Sequence, residues 1–212
     1  MRQLSVLDQI FNHLERSLRA VHGRHQGTAR SNPGNNIADT DLSEPESRHA
    51  ASLMRVNHAG EIAAQALYNG QSLAARSSEV KERMRESAQE ETDHLAWCKQ
   101  RVEELGQSTS LLGPVWYWGS FSIGAIAGAA GDKWSLGFIK ETEDQVISHL
   151  QEHQQSLPDG DTKSRAIIQQ MIIDEAHHGD KAVDLGGVPL PAPAIRLMRL
   201  TARVMTTVSY RI

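Results

Sequence analysis

The sequence predicts an all-α fold, and three observations carry that prediction. Apolar residues recur at spacings of three and four along most of the chain. Ala, Gln and Glu are plentiful, while aromatic residues make up only 5%. Clusters of glycine and proline, such as Pro158-Asp159-Gly160 and Gly186-Gly187 with Pro189, separate the periodic stretches. A chain of 212 residues suits one packed domain.

The elements follow in order. Leu4, Leu7, Ile10, Phe11, Leu14 and Leu18 predict an amphipathic N-terminal helix within residues 1–22. Residues 23–42, rich in Gly, Asn, Ser and Thr, read as a linker. Ser43, Pro45 and Glu46 form a helix start, with Ser43 as cap and Glu46 closing a capping box. Four long helices are expected at about 44–76, 79–105, 133–157 and 162–184. Pro158-Asp159-Gly160 separates the last two, and Gly186, Gly187 and Pro189 end the fourth. Between the second and third lies a crossover near 107–132, whose stretch Leu111–Gly131 holds five glycines and no charge. It has the length of a membrane span but too little hydropathy, so it is expected to be a buried connection. A bundle with short outer loops and one long central connection, here spanning 43–212, has the ferritin-like topology. Beyond Asp184 no acid occurs, and Arg196, Arg199, Arg203 and Arg211 alternate with Ile195, Leu197, Met198, Leu200, Val204 and Met205. This predicts a basic amphipathic C-terminal helix, suited to anionic lipid or a partner surface, or docked on the bundle with its arginines in water.

The bulk properties exclude several classes. A net charge of −4 gives no reason to expect nucleic acid. Cys98 is the single cysteine, so the chain forms no internal disulfide and a reducing compartment fits. Met1–Gly23 has helically spaced apolar residues and no continuous apolar core, and Asp8 and Glu15 interrupt its basic character. Neither a secretory signal nor a mitochondrial presequence is therefore expected, and the chain reads as intracellular.

Chemistry enters where charge interrupts an apolar stripe. Two Glu-x-x-His pairs, Glu91/His94 and Glu175/His178, mean little alone, because composition yields about one such pair by chance. A third, Glu46/His49, lies about 22 Å along its helix from Glu61 and belongs to the cap. On the second helix Glu91 shares a line with Val80, Met84, Leu95, Cys98, Val102 and Leu105, and His94 flanks it. Glu90 falls about 100° away, toward solvent. On the fourth, Glu175 aligns with Ile168, Met171 and Ala182, and the helical phase selects His178 over His177. Glu143 shares a stripe with Leu136, Ile139, Ile147 and Leu150, and Glu61 one with Ala50, Met54, Ala64 and Tyr68. Glu141 lies opposite its stripe. The spacings Glu61 to Glu91 (30 residues) and Glu143 to Glu175 (32 residues) make the two halves a matched pseudo-repeat. Four buried carboxylates would repel one another, and the stripes contain no Arg or Lys to neutralise them. Two divalent ions would, and imidazole with carboxylate suits iron or manganese better than magnesium or calcium.

The segments NHAGEIAAQALYNGQ, EETDHL, KETED and IIDEAHHGDKA around these residues resemble the demethoxyubiquinol hydroxylases of ubiquinone biosynthesis, from Arg48 to the C-terminus. The resemblance implies a di-iron monooxygenase with Glu61, Glu91, His94, Glu143, Glu175 and His178 as ligands of two iron ions, Glu91 and Glu175 bridging them. It implies a polyprenyl quinol and dioxygen as substrates, and hydroxylation of the quinol ring. It also implies a peripheral position on the cytoplasmic face of the cell membrane and contact with other ubiquinone-biosynthesis enzymes. His149 matches a family histidine but lies off the Glu143 stripe, and Leu150 stands where many members have Tyr. Residues before Ser43 lie outside the part matched to the short forms of the family. On the residues alone, a soluble ferritin-like iron oxidase or store and a non-catalytic quinone-binding scaffold stay open.

Overall fold

A computed structural model describes Thr28 and residues 30–212. The N-terminal helix expected at 1–22 and the first part of the linker lie outside the described residues. Six helices follow: α1 (Glu44–Ala74), α2 (Ser78–Glu104), α3 (Gly113–Ala129), α4 (Asp132–Ser156), α5 (Thr162–Asp184) and α6 (Ala192–Ser209). Among the described residues there are no strands.

The start of α1 matches its sequence signal. The Ser43 backbone N–H donates to Glu46 Oε2 at 2.9 Å, and Pro45 sits in the first turn, where its missing N–H costs nothing. Helices α1, α2, α4 and α5 form the bundle, and their apolar stripes separate into two clusters. One gathers Ala50, Leu53, Met54, Trp97, Cys98, Val102, Leu150, Leu157, Ile167, Ile168 and Met171. The other gathers Tyr68, Val80, Met84, Ala88, Leu136, Ile139 and Ala182. On every bundle helix the stripe glutamate lies in sequence between the residues of one cluster and those of the other. The core is therefore an apolar layer, a polar layer and a second apolar layer.

The crossover departs from the expectation of a buried connection. It is a helix, α3, packed on α1 with one face inward and one outward. Its glycines explain both its low hydropathy and its contact. A Cβ on Gly124 would stand 2.3 Å from the Leu67 carbonyl oxygen, and one on Gly70 would stand 2.2 Å from that of Phe121. Only at glycine can the two backbones approach so closely. Tyr117, Gly124 and Gly128 are buried, whereas Leu111, Val115, Trp118 and Ile126 are exposed. Among the described residues no helix is long and apolar enough to cross a membrane.

Helix α6 lies against α1 and α4. Tyr210 just beyond it shares a hydrogen bond with His49 Nδ1 (2.7 Å), and Arg55 donates to the Ser108 (2.9 Å) and Tyr210 (3.4 Å) carbonyls. Its arginines do face water, as do Leu197, Leu200 and Val204, so the outer surface is both basic and apolar.

Candidate metal centre

The polar layer holds all six sequence-selected residues. Glu61, Glu91, His94, Glu143, Glu175 and His178 are each at most 2% exposed. They fall into two groups, in each of which one ligand atom per residue lies within 4.8 Å of the others. The groups are Glu61, Glu91, His94 and Glu175, and Glu91, Glu143, Glu175 and His178. Glu91 and Glu175 belong to both. His177, the neighbour rejected on phase, is exposed.

Both imidazoles point Nδ1 inward. His94 Nδ1 lies 3.1 Å from Glu91 Oε2, 3.2 Å from Glu175 Oε1 and 3.5 Å from Glu61 Oε2. His178 Nδ1 lies 3.0 Å from Glu175 Oε2 and 3.1 Å from Glu91 Oε1. Each Nε2 faces a carboxylate on the opposite helix: Asp174 Oδ2 for His94 (2.9 Å) and Glu90 Oε2 for His178 (2.6 Å). These carboxylates were not singled out by the sequence. Hydrogen bonds hold Asp174 down to about 2 against burial and hold Glu90 below its usual value, so both are acceptors only. The proton between each pair therefore sits on Nε2, which leaves the Nδ1 lone pair for a ligand when the ring is neutral. The retrievable signal was an acid immediately before each Glu of the Glu-x-x-His pairs. Tyr68, noted only as a member of the Glu61 stripe, donates its buried hydroxyl to Glu143 Oε1.

The electrostatics show groups that require positive charge. Burial pushes the Glu61 and Glu143 carboxyls well above the usual range, and the Glu91 and Glu175 charges, respectively, add to the push. Burial works the same way on Glu91, but the facing imidazoles of His178 and His94 outweigh it and hold that carboxyl low. Burial opposes charge on His94 and His178, yet the surrounding carboxylates raise both well above the usual imidazole value. Protons on the imidazoles, on Glu61 and on Glu143 balance the cluster, and divalent ions would displace them. Glu61 Oε2, Glu91 Oε1 and Glu143 Oε2 are buried without a hydrogen bond. Orphaned oxygens among inward-facing imidazole nitrogens fit a pair of metal ions.

The remaining sequence candidates lie elsewhere. Glu46 caps α1, and His49 bonds Ser156 and Tyr210. His149 is 38% exposed and outside both groups, and Leu150 packs in an apolar cluster.

Residues 48–209 match the family described as ubiquinone biosynthesis protein COQ7. The chain is 52% identical over 209 residues to the 3-demethoxyubiquinol 3-hydroxylase of Nitrosococcus oceani, covering 99% of this chain and 98% of that one. It is 52% identical to that of Ralstonia pickettii, covering 98% and 100%, and 50% identical to that of Chromobacterium violaceum, covering 98% and 100%. Among solved structures, the dodecameric thioferritin of Bacteroides fragilis, a bacterioferritin-related protein, superposes with a TM-score of 0.56 at 17% identity. That match covers 80% of this chain and 91% of that one, which makes the fold ferritin-like. The family match takes in all four bundle helices and every residue of the polar layer, and the relatives run half identical from end to end: the chain belongs to the COQ7 family of ubiquinone biosynthesis proteins.

Proposed function

We propose that this chain is a 3-demethoxyubiquinol 3-hydroxylase, a two-iron monooxygenase working on a polyprenyl quinol at the cytoplasmic surface of the cell membrane. The single observation that carries the reading is the pair of buried ligand groups sharing Glu91 and Glu175, in a chain half identical to enzymes of that name. Glu61 and His94 complete one metal position, and Glu143 and His178 the other. Iron held there would supply the activation of dioxygen, so that one atom enters the ring and the other, taking two electrons from the ferrous pair and two protons, leaves as water.

The chain's own residues do the rest. Asp174 and Glu90 orient the imidazoles, and Tyr68 fixes Glu143. The near-complete burial of the six groups keeps water from the reacting centre. A narrow cleft of about 20 Å³, walled by Met84, Leu136, Ile139, Ala182 and Leu185 and rimmed by Arg83, Ser87 and Lys181, reaches Tyr68 and His178. Its apolar walls suit a quinol ring whose isoprenoid tail stays in lipid, and the cleft must widen to admit that ring. The outward apolar residues of α3, with the arginines and leucines of α6, suit an anionic bilayer surface.

The test is anaerobic iron loading followed by a single turnover with demethoxyubiquinol and dioxygen, read by mass spectrometry. A product heavier by one oxygen with about two irons per chain is expected. Two irons without product would point to an iron oxidase or store, and no iron would overturn the reading.

A further inference from the structure

The polar layer is built from a pseudo-repeat, but among the described residues its two halves are not equally enclosed. Residues 30–41 run along the groove between α2 and α5. At its start, the Thr28 backbone N–H donates to Asp93 Oδ1 at 2.7 Å, and the Thr28 hydroxyl to Asp93 Oδ2. Arg30 Nη2 lies 2.6 Å from Asp174 Oδ2, the oxygen that accepts the His94 proton. The Arg30 guanidinium also stacks 5.1 Å from the ring of Trp97, which itself lies 5.3 Å from His94. Further along, Asn32 donates to Gln100 (2.9 Å), and Asp39 pairs with Arg101 (3.0 Å) and Lys163 (2.9 Å). The segment is thus tied down at several points, and its first ties are at the level of the metal centre.

Nothing comparable backs the other imidazole among the described residues. Glu90, the partner of His178, has only Lys181 at 3.6 Å as a cation, and Lys181 is itself 44% exposed. The Glu90 side chain is 35% exposed against 12% for Asp174. Two clefts reach the polar layer on this half. One touches Glu143 and Tyr68, the other His178 and Tyr68.

We infer that Thr28 and residues 30–41 make the two metal positions unequal: Arg30 is a positioning residue that acts through Asp174 on His94. The Glu61/His94 position is the tight, slowly exchanging one, and the Glu143/His178 position is the labile one that faces incoming reactants. The inference rests on the two-metal reading. Its physical basis is that a guanidinium fixing the carboxylate fixes the ring, so a ligand that dissociates finds its donor still aimed at the site.

The experiment is release of ferrous iron from the anaerobically loaded full chain into excess ferrozine, followed by stopped-flow absorbance. The native protein should release two ions in two phases of equal amplitude, about tenfold or more apart. Glu143→Ala should remove the fast phase and leave the slow one. Arg30→Met should accelerate the slow phase about tenfold and leave the fast phase unchanged, and Arg30→Lys should recover part of the difference. A single phase in the native protein, loss of the slow phase in Glu143→Ala, or an unaltered slow phase in Arg30→Met would each overturn the inference. Equal acceleration of both phases in Arg30→Met would also overturn it, showing general loosening. Uptake of fewer than two ions by the native chain would instead bring down the two-metal reading beneath it.

Discussion

At the scale of single residues, the centre depends on groups that never touch a metal. Glu90→Gln keeps the shape but weakens the acceptor facing His178 Nε2. It is expected to lower affinity for the ion at that position about 10–100-fold, measured by competition with a chelator of known affinity. A second residue bears on pH. His153 is largely buried, with Nδ1 2.6 Å from Asn57 Oδ1, and burial, helped by His149 and His49, lowers it from 6.5 to about 4. Its folded value lies below its unfolded one, so stability is full above about pH 6.5 and falls as pH drops toward 4. The loss is about 3 kcal/mol, and it should be missing from urea unfolding of His153→Gln over the same window. Helical phase alone separated Glu91 from Glu90 and His178 from His177. It could not reveal that Glu90 and Asp174 turn back toward an imidazole on another helix, because such a pairing depends on how two helices face each other.

At the scale of elements, α3 is where sequence and structure diverge most. Glycine weakens both hydropathy and helical propensity, so the segment reads as a connection. Its stability comes instead from backbone contact with α1, which no local pattern encodes. Gly124→Ala should therefore cost about 1–3 kcal/mol in thermal or urea unfolding. Gly119→Ala, with nothing within 4 Å of its new Cβ, should be neutral or slightly stabilising by about 1 kcal/mol. Helix α6 shows the opposite relation, since its alternation of arginine and apolar residues is legible from sequence and its outward face retains both. Replacing Arg196, Arg199 and Arg203 together by Glu is expected to abolish flotation with anionic vesicles while leaving the helical circular dichroism unchanged. Retained flotation would count against the surface-binding role.

At the scale of the whole molecule, the bundle was legible because each of its four helices places a glutamate in an otherwise apolar stripe, and one level satisfies all four. The groove-filling residues 30–41 and Thr28 were not, since their ties to Asp93, Asp174, Gln100 and Arg101 are distant in sequence and follow no period. Ions that bind the folded chain alone should raise its melting temperature. At a free concentration a thousandfold above Kd each adds about 4 kcal/mol. For a chain of this size that is a rise of about 8–16 °C per ion by scanning calorimetry. The layered core has one more consequence. Each apolar cluster draws on all four bundle helices, and protons can balance the layer between them. The bundle should thus reach its native shape before any metal arrives, unlike small domains that fold around their ion. Protein made under iron starvation would wait as a finished, loadable receptacle, and supply of the metal, rather than new synthesis, would set how quickly the pool becomes competent. Chelator-treated protein should accordingly keep its far-ultraviolet circular dichroism and regain two ions without a refolding lag.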